Sequence, residues 1–240
     1  MKRRSGPNVL ITGASDGIGF ELLLLFSREG AHVIGAGTRP ASALPVSWPA
    51  NARYIQADQV RFDVADILLN AAGAAGWNAI DHLVLNAATG FVSAAESEKP
   101  ETIANTLATN LVAPMAITHG LAHLLFACRG LVTLVGSSAH KGAPGFASYA
   151  ASKAGLNGFA RALRSEWQKR ADVQILHPGP TATAMHAKAG SIPGFARRFF
   201  IQPDECARRM RRHIDRRTAK ANIGIGLREI MSGLAGGGRR

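Results

Sequence analysis

Short apolar runs alternate with helix-length segments along most of the chain. Residues 9–11 form the first apolar run, and residues 20–27 have the composition of the helix that follows it. Later apolar runs at residues 33–34, 54–57, 83–85, 131–135 and 173–176 predict further buried strands. Because this alternation continues from residue 8 to residue 183, the pattern predicts an α/β fold, a doubly wound parallel sheet with helices on both faces.

The length and composition suit one domain. A chain of 240 residues with 47% hydrophobic content can bury roughly three quarters of its unfolded surface. No proline-rich linker or charge block interrupts the series of strands and helices. We therefore expect a single domain over residues 1–240, in which residues 233–240 form a flexible tail.

A glycine-rich turn joins the first predicted strand to the first helix. Residues 12–19 read Thr-Gly-Ala-Ser-Asp-Gly-Ile-Gly. Glycines at such a junction let the chain turn tightly and bring its backbone against a pyrophosphate at the helix N-terminus, as in Rossmann-like folds. The spacing differs from G-x-G-x-x-G, since three residues separate the first two glycines. Taken alone, the motif also suits a glycine-rich turn without a ligand.

A tyrosine and a lysine later in the chain are spaced for proton chemistry. Tyr149 and Lys153 are four residues apart, which places them on one face of a helix. A phenol has a pKa near 10, and lowering that pKa toward 7 requires about 3 units, roughly 4 kcal/mol. A fixed ammonium beside the ring favours the phenolate. Such pairs also occur on ordinary helix surfaces, so the significance of this one depends on the glycine turn before it.

Together the two segments resemble the short-chain dehydrogenase/reductase family, in which a TGxxxGxG turn precedes a YxxxK pair. Residues 83–88 are similar to the family's strand-four NNAG motif, with Leu85 and Ala88 replacing its first Asn and its Gly. Asn110 matches the active-site Asn, and residues 130–137 resemble the strand that delivers the catalytic Ser. Residues 178–183 match the PG motif beside the nicotinamide. The resemblance therefore covers nearly the whole chain.

The resemblance implies a catalytic role for four residues. Tyr149 would be the general acid for carbonyl reduction and the base for alcohol oxidation, while hydride moves between the nicotinamide and the substrate carbon. Lys153 would lower the phenol pKa and bind the nicotinamide ribose. Ser137 would donate to the carbonyl oxygen, and Asn110 would anchor a water that links Lys153 to solvent.

The position of the catalytic serine has two interpretations. Ser137 lies twelve residues before Tyr149 and Ser138 lies eleven before it, whereas the family commonly has thirteen. Counting forward from Gly130 favours Ser137, with a one-residue deletion in the loop at residues 140–142. Ser138 stays open as the alternative.

The end of the second strand indicates the type of nicotinamide cofactor. Gly37 falls where NAD-type members carry an acid, and Arg39 is placed to pair with a 2′-phosphate. Asp16 is a counter-argument, because NADP-type members often carry a base there. We predict NADP(H), with NAD(H) as second choice. The resemblance implies these cofactor-binding residues: Gly13, Ser15, Asp16, Gly17, Ile18, Gly19, Arg39, Asp58, Asn86, Ala87, Tyr149, Lys153, Pro178, Gly179, Thr181 and Thr183.

Asp58 and the strand-four motif would affect the adenosine half of the cofactor site. Asp58 would bind the adenine amino group, although an Asp at a strand end also suits an ordinary turn. The altered strand-four motif should loosen packing around the ribose without removing the chemistry.

Residues 184–202 would close over the substrate. Four apolar residues of this segment would form either a lid or ordinary packing: Met185, Phe195, Phe199 and Phe200. The identity of the carbonyl compound and the direction of the reaction stay open.

The formal charge of +12 is concentrated late in the chain. Residues 203–214 begin with acids and end with bases, the polarity that a helix dipole favours. Cys206, Met210 and Ile214 recur at four-residue spacing and predict a narrow buried stripe. A solvated surface helix explains this segment, and attraction to an anionic lipid surface or an acidic partner is the alternative. Nucleic acid is disfavoured, because aromatic and basic residues do not interleave.

The remaining features exclude other classes. Cys128 and Cys206 match no metal or redox spacing, so we expect reduced thiols and no metal. The basic residues 2–4 precede an apolar run too short for a signal peptide, which predicts a cytoplasmic protein. Two other functions stay open beside the oxidoreductase: a cofactor sensor without turnover, and a scaffold that binds membrane or nucleic acid through the basic helix.

The resemblance also implies self-association. Members of the family pair through the helices that follow Asn110 and carry Tyr149, which predicts a homodimer or homotetramer. Small residues that permit close helix packing follow one face of the Tyr149 helix: Ala147, Ala150, Ala151, Ala154 and Gly158.

Overall fold

A seven-stranded, entirely parallel sheet forms the centre of the protein. The computed structural model describes residues 6–182 and 200–224. The strands run in the order β3-β2-β1-β4-β5-β6-β7, and every neighbouring pair is parallel. They are β1 (Asn8–Thr12), β2 (His32–Gly37), β3 (Ala52–Gln56), β4 (His82–Leu85), β5 (Leu131–Val135), β6 (Asp172–Pro178) and β7 (Lys220–Ile223).

The helices connect these strands and cover the sheet. They are α1 (Gly17–Arg28), α2 (Val64–Ala74), α3 (Pro100–Leu107), α4 (Ala113–Gly120), α5 (Ala122–Phe126), α6 (Ala147–Glu166) and α7 (Pro203–Asp215). One π-helical turn (Ala108–Val112) joins α3 to α4. Every residue of the central strands β1 and β5 is buried, which is the reason these segments are continuous apolar runs.

Two apolar cores lie on opposite faces of the sheet. One core packs α2, α4, α5 and α6 against the sheet, with Leu68, Ile117 and Leu156 among its buried residues. The other packs α1 and α7 against the opposite face through Phe26 and Met210. The predicted fold class, a single doubly wound, Rossmann-like sheet covered on both faces, is therefore confirmed.

The basic helix α7 belongs to the second core. Cys206, Met210 and Ile214 are fully buried, as the four-residue spacing predicted. On the exposed face, Arg208 and Arg209 pair with Glu205 of the first turn. Much of the positive charge of this helix is thus balanced within the helix itself.

Some expectations fall outside the described residues. Of the segment expected to cover the substrate, residues 184–199 lie outside them, as does the expected tail at residues 233–240. Strand β7 was not predicted from the sequence. Within the described part of the chain, no helix has the length and apolarity needed to cross a membrane.

Candidate active site

A cavity of about 790 Å³ opens at the carboxyl ends of the strands. The strand order reverses between β1 and β4, and in open α/β sheets ligands bind outside the strand ends at such a point. Most of the predicted site residues line this cavity: Gly13, Ser15, Asp16, Gly17, Ile18, Arg39, Asp58, Asn86, Ala87, Ser137, Tyr149, Lys153, Pro178, Gly179 and Thr181.

The glycine turn is packed too closely for side chains. Gly13 has a φ of +64°, and a Cβ there would lie 2.7 Å from the Ala87 Cα. A Cβ on Gly19 would lie 2.2 Å from the Gly13 carbonyl oxygen. Gly19 therefore shapes the turn without lining the cavity. The turn brings the N-terminus of α1 to the cavity, where the N–H groups of a first helical turn suit a pyrophosphate.

The altered strand-four motif still ties β4 to β1. Asn86 Nδ2 donates to the carbonyl oxygens of Thr12 and Gly13, at 3.1 Å each. The Thr12 hydroxyl oxygen accepts from the N–H groups of Asn86 and Ala87, also at 3.1 Å. These four hydrogen bonds hold the turn and the end of β4 together. Thr12, which was not predicted as a site residue, takes part in three of the four.

Charged groups meet at the end of β2. Asp16 Oδ1 accepts from Gly17 N at 2.7 Å and so caps α1, while Arg39 Nη2 donates to Asp16 Oδ2 at 2.7 Å. A Cβ on Gly37 would lie 2.8 Å from the Ser15 Oγ, so a larger residue at position 37 would displace Ser15. Asp58 Oδ1 accepts from Val60 N at 3.2 Å.

Tyr149 and Lys153 lie side by side on α6, facing the cavity. Their exposed fractions are 7% and 2%. Lys153 Nζ lies 5.8 Å from the centroid of the Tyr149 ring, and it donates to the Val135 carbonyl oxygen at 2.9 Å. The four-residue spacing thus places both groups on one face of α6, and Lys153 reaches the end of β5.

Burial dominates the proton affinity of both groups. It raises the pKa of Tyr149 above the usual 10, and hydrogen bonding to Ser137 acts in the opposite direction. The family resemblance implied that Lys153 lowers this pKa, whereas in the folded chain burial has the largest effect on the phenol and raises it. Burial also lowers the pKa of Lys153 to about 8, because a dehydrated ammonium is costly.

The serine beside Tyr149 is Ser137. It directly follows Gly136 at the end of β5 and caps the short 3₁₀ turn Ser138–Lys141, where its Oγ accepts from Ala139 N at 3.1 Å. The hydrogen bond that affects the Tyr149 pKa comes from Ser137. Ser138 also lines the cavity but lies within the turn and is exposed. The geometry favours Ser137 over Ser138.

Asn110 lies behind the site rather than on its wall. It is fully buried in the π-helical turn. Its Oδ1 accepts from Thr89 N, and its Nδ2 donates to Thr89 O, both at 2.8 Å. Nδ2 also lies 3.1 Å from the Ser152 Oγ on α6. Asn110 therefore links the loop after β4 to the helix that carries Tyr149. Thr183 lies outside the described residues.

Around Tyr149, away from the glycine turn, the cavity contains residues that the sequence did not single out. Phe91 and Phe146 line it, and the Phe146 and Tyr149 ring centroids are 5.9 Å apart. A Cβ on Gly90 would lie 2.8 Å from the Tyr149 ring, so this glycine lets the loop pass close to the phenol. Residues in loops follow no hydrophobic periodicity, so the sequence pattern could not single these out. Within residues 6–182 and 200–224, no His, Cys, Asp and Glu side chains are grouped to hold a metal.

Comparison with known proteins identifies the family of the chain. The family model described as short chain dehydrogenase matches residues 7–192. An uncharacterized oxidoreductase of Escherichia coli, YciK, is 30% identical over 193 residues, which are 75% of this chain and 76% of YciK. An uncharacterized oxidoreductase of Mycobacterium tuberculosis is 31% identical over 197 residues, 76% of each chain.

A solved structure shares the fold. The crystal structure of 3-ketoacyl-(acyl-carrier-protein) reductase from Brucella melitensis, complexed with NADH, superimposes with a TM-score of 0.81. The match covers 91% of this chain and 96% of the reductase, at 22% identity.

Proposed function

The chain belongs to the short-chain dehydrogenase/reductase family, and we propose that it interconverts a carbonyl and a secondary alcohol with NADP(H), using Tyr149 as the general acid and base. The observation that carries this proposal is the buried Tyr149 beside Lys153, at the wall of a cavity whose other end is the glycine turn. A proton donor and a dinucleotide cradle in one cavity are what such a reaction requires.

The residues present fit a nicotinamide dinucleotide. Gly13 and Gly19 let the turn pack against the end of β4 and against itself, where a Cβ would collide with the main chain, and the N-terminus of α1 that this turn presents would hold the pyrophosphate. Asn86, Ala87, Pro178, Gly179 and Thr181 line the same cavity and would hold the nicotinamide half. When bound, the nicotinamide supplies a hydride donor or acceptor.

The protein's own groups would handle the proton. Tyr149 keeps its proton at neutral pH because burial raises the pKa of its phenol, so it is ready to protonate an oxygen that gains negative charge. Ser137 would donate a second hydrogen bond to that oxygen. Lys153, with a pKa of about 8, would return a proton to the phenolate. Asn110 would act by holding the loop and α6 in register.

The preference for NADP(H) rests on Arg39. Its guanidinium lines the cavity at the end of β2, where a fork of N–H donors suits a phosphate. Gly37 presents no carboxylate that would bind a ribose diol or repel a phosphate. The Asp16 carboxylate, which pairs with Arg39, opposes this preference, and a 2′-phosphate would have to compete with it.

Self-association is proposed through α6 and the segment around the π-helical turn. Ala151, Ala154 and Gly158 are exposed on α6, and a Cβ on Gly158 would meet nothing within 4 Å. Val112 and Met115 expose 57% and 37% of their surface. This combination of small and apolar residues suits a homodimer or homotetramer.

The test is turnover by the wild type and by Tyr149→Phe. A panel of carbonyls and alcohols is assayed at 340 nm with both nicotinamides. We expect the variant to bind NADPH as the wild type does, because the ring is kept, and to lose turnover by about 10³-fold or more, because its proton donor is gone. Cofactor binding is measured separately by the fluorescence of the reduced nicotinamide. Undiminished turnover in Tyr149→Phe would exclude the assignment.

A further inference from the structure

The carbonyl oxygen of Ser137 is contacted by two histidine rings. His140 Nδ1 lies 2.7 Å from it, and His177 Nδ1 lies 3.2 Å from it. His140 N also donates to the same oxygen at 3.1 Å. With Ala139 N donating to its Oγ, Ser137 is held at both its main chain and its side chain.

The two rings form a stacked pair. Their centroids are 4.0 Å apart with an interplanar angle of 26°. His177 is the second-last residue of β6 and is 1% exposed, whereas His140 is partly exposed in the turn after Ser137. A Cβ on Gly136 would lie 2.4 Å from His177 Nδ1. The glycine before Ser137 is therefore what allows the buried ring to lie against the main chain.

The two histidines differ in which of them can donate a hydrogen bond to the Ser137 carbonyl oxygen. Burial and the adjacent His140 lower the pKa of His177 to about 4, so its ring is neutral and carries one N–H. That N–H can serve either Ser137 O or Asn157 Oδ1, which lies 3.1 Å from Nε2. His140 Nδ1 has the shorter contact with the Ser137 carbonyl oxygen. His140 is the better donor, and His177 is the surface on which its ring rests.

We propose that His140 is a positioning residue for Ser137: it donates from Nδ1 to the Ser137 carbonyl oxygen while stacked on His177, and so aims the Ser137 hydroxyl at Tyr149 and the substrate oxygen. The role of Ser137 in this inference rests on the proposed function. The two histidines are 37 residues apart in the chain (177 minus 140), and only the fold brings them together. Neither would contact the substrate in this role.

Three variants separate donation from stacking. His140→Phe keeps a ring against His177 but removes the donor, whereas His140→Asn keeps a donor at the position of Nδ1 but removes the ring. Lys141→Ala, at an exposed position in the same turn, is the matched control. Because a small displacement of a catalytic group is costly, we expect kcat to fall about tenfold in His140→Phe, with the KM for NADPH unchanged. His140→Asn should recover most of this loss, and Lys141→Ala should match the wild type.

A second measurement decides the inference without turnover. The protein has two tyrosines, so the ¹³Cζ NMR signal of Tyr149 can be assigned with Tyr54→Phe. This signal reports hydrogen bonding at the phenol oxygen. We expect Ser137→Ala and His140→Phe to move it in the same direction, and His140→Asn to leave it near the wild-type position.

The outcomes are distinct. An unmoved ¹³Cζ signal in His140→Phe, or wild-type kcat in that variant, would overturn the positioning role. A wild type that turns over no carbonyl or alcohol in the panel would count against the proposed function, while the NMR comparison would still decide whether His140 positions Ser137.

Discussion

Asp16 serves two neighbours with one carboxylate. One oxygen caps α1 through Gly17 N, and the other pairs with Arg39 at the entrance to the cavity. Both side chains of the ion pair are more than 40% exposed, so the pair itself contributes little to stability. Its effect falls on the cofactor, because it places a negative charge beside the group proposed to bind the 2′-phosphate.

Asp16→Asn should therefore strengthen the preference for NADPH. Asn caps a helix as well as Asp does, so α1 is kept while Arg39 becomes free to pair with phosphate. We expect the ratio of kcat/KM for NADPH to that for NADH to rise about tenfold. Arg39→Gln should move the ratio in the opposite direction. Asp58→Asn is the control: its carboxylate accepts from Val60 N, and the adenine that it would bind is common to both nicotinamides, so the ratio should not change. An equal rise there, or none in Asp16→Asn, would contradict the proposal.

Lys153 makes the stability of the protein depend on pH above neutrality. Its pKa is lowered to about 8 in the folded chain, against about 10.4 when unfolded. Between these values the unfolded state binds more protons, so stability rises with pH. The contribution of Lys153 to the free energy of unfolding is complete above the unfolded pKa and is lost as pH falls through about 8. At pH 7 the cost of the buried ammonium is about 3 kcal/mol.

Comparison with Lys153→Met isolates this effect. The variant cannot titrate at this position, but it leaves the Val135 carbonyl without its hydrogen bond, so the absolute difference between the two proteins mixes two causes. The pH dependence of this difference reflects only the titration of Lys153, because the lost hydrogen bond affects the variant at every pH. From pH 8 to pH 10, urea unfolding should show the wild type gaining about 2 kcal/mol relative to the variant. Parallel pH profiles would show that Lys153 is not shifted.

At the scale of elements, burial decides which strands the sequence could predict. Strands β1 and β5 are buried along their whole length, so each is a continuous apolar run. Strand β7 lies at the edge of the sheet and has one buried residue, Ile223. Its sequence, Lys-Ala-Asn-Ile, has no apolar run, which is the reason it was missed. The π-helical turn around Asn110 has no sequence signal either, because it is a local change of helical pitch.

The buried apolar face of helix α7 contributes more to the stability of the protein than its charged face does. Met210 is fully buried in the core shared with α1, whereas Arg212 is exposed on the same helix. Met210→Ala should lower the free energy of unfolding by about 2–5 kcal/mol. Arg212→Ala should change it by about 0.5 kcal/mol or less. Urea denaturation checks both values, and a loss in Arg212→Ala as large as that in Met210→Ala would mean that the basic face is also structural.

At the scale of the molecule, the candidate site combines residues that are distant in sequence. The glycine turn and the Tyr149–Lys153 pair were predictable because each motif is local and has its own spacing. The pairing of Asp16 with Arg39 and the stacking of His140 on His177 were not, since both depend on how the ends of different strands converge. Local motifs thus indicate the chemistry, while the fold determines the charges and supports around it.

The exposed face of α6 leads to a prediction about assembly. Gly158 has open space around the position of a Cβ, and so does Gly73 on α2, which makes the two glycines a matched pair for substitution. If copies pair through α6, Gly158→Arg places a long charged side chain in a close helix contact and should produce monomers at micromolar concentration. Gly73→Arg should keep the wild-type assembly. Light scattering with unfolding controls measures both; a monomeric wild type, or a Gly158→Arg variant that assembles normally, would exclude this face as the interface.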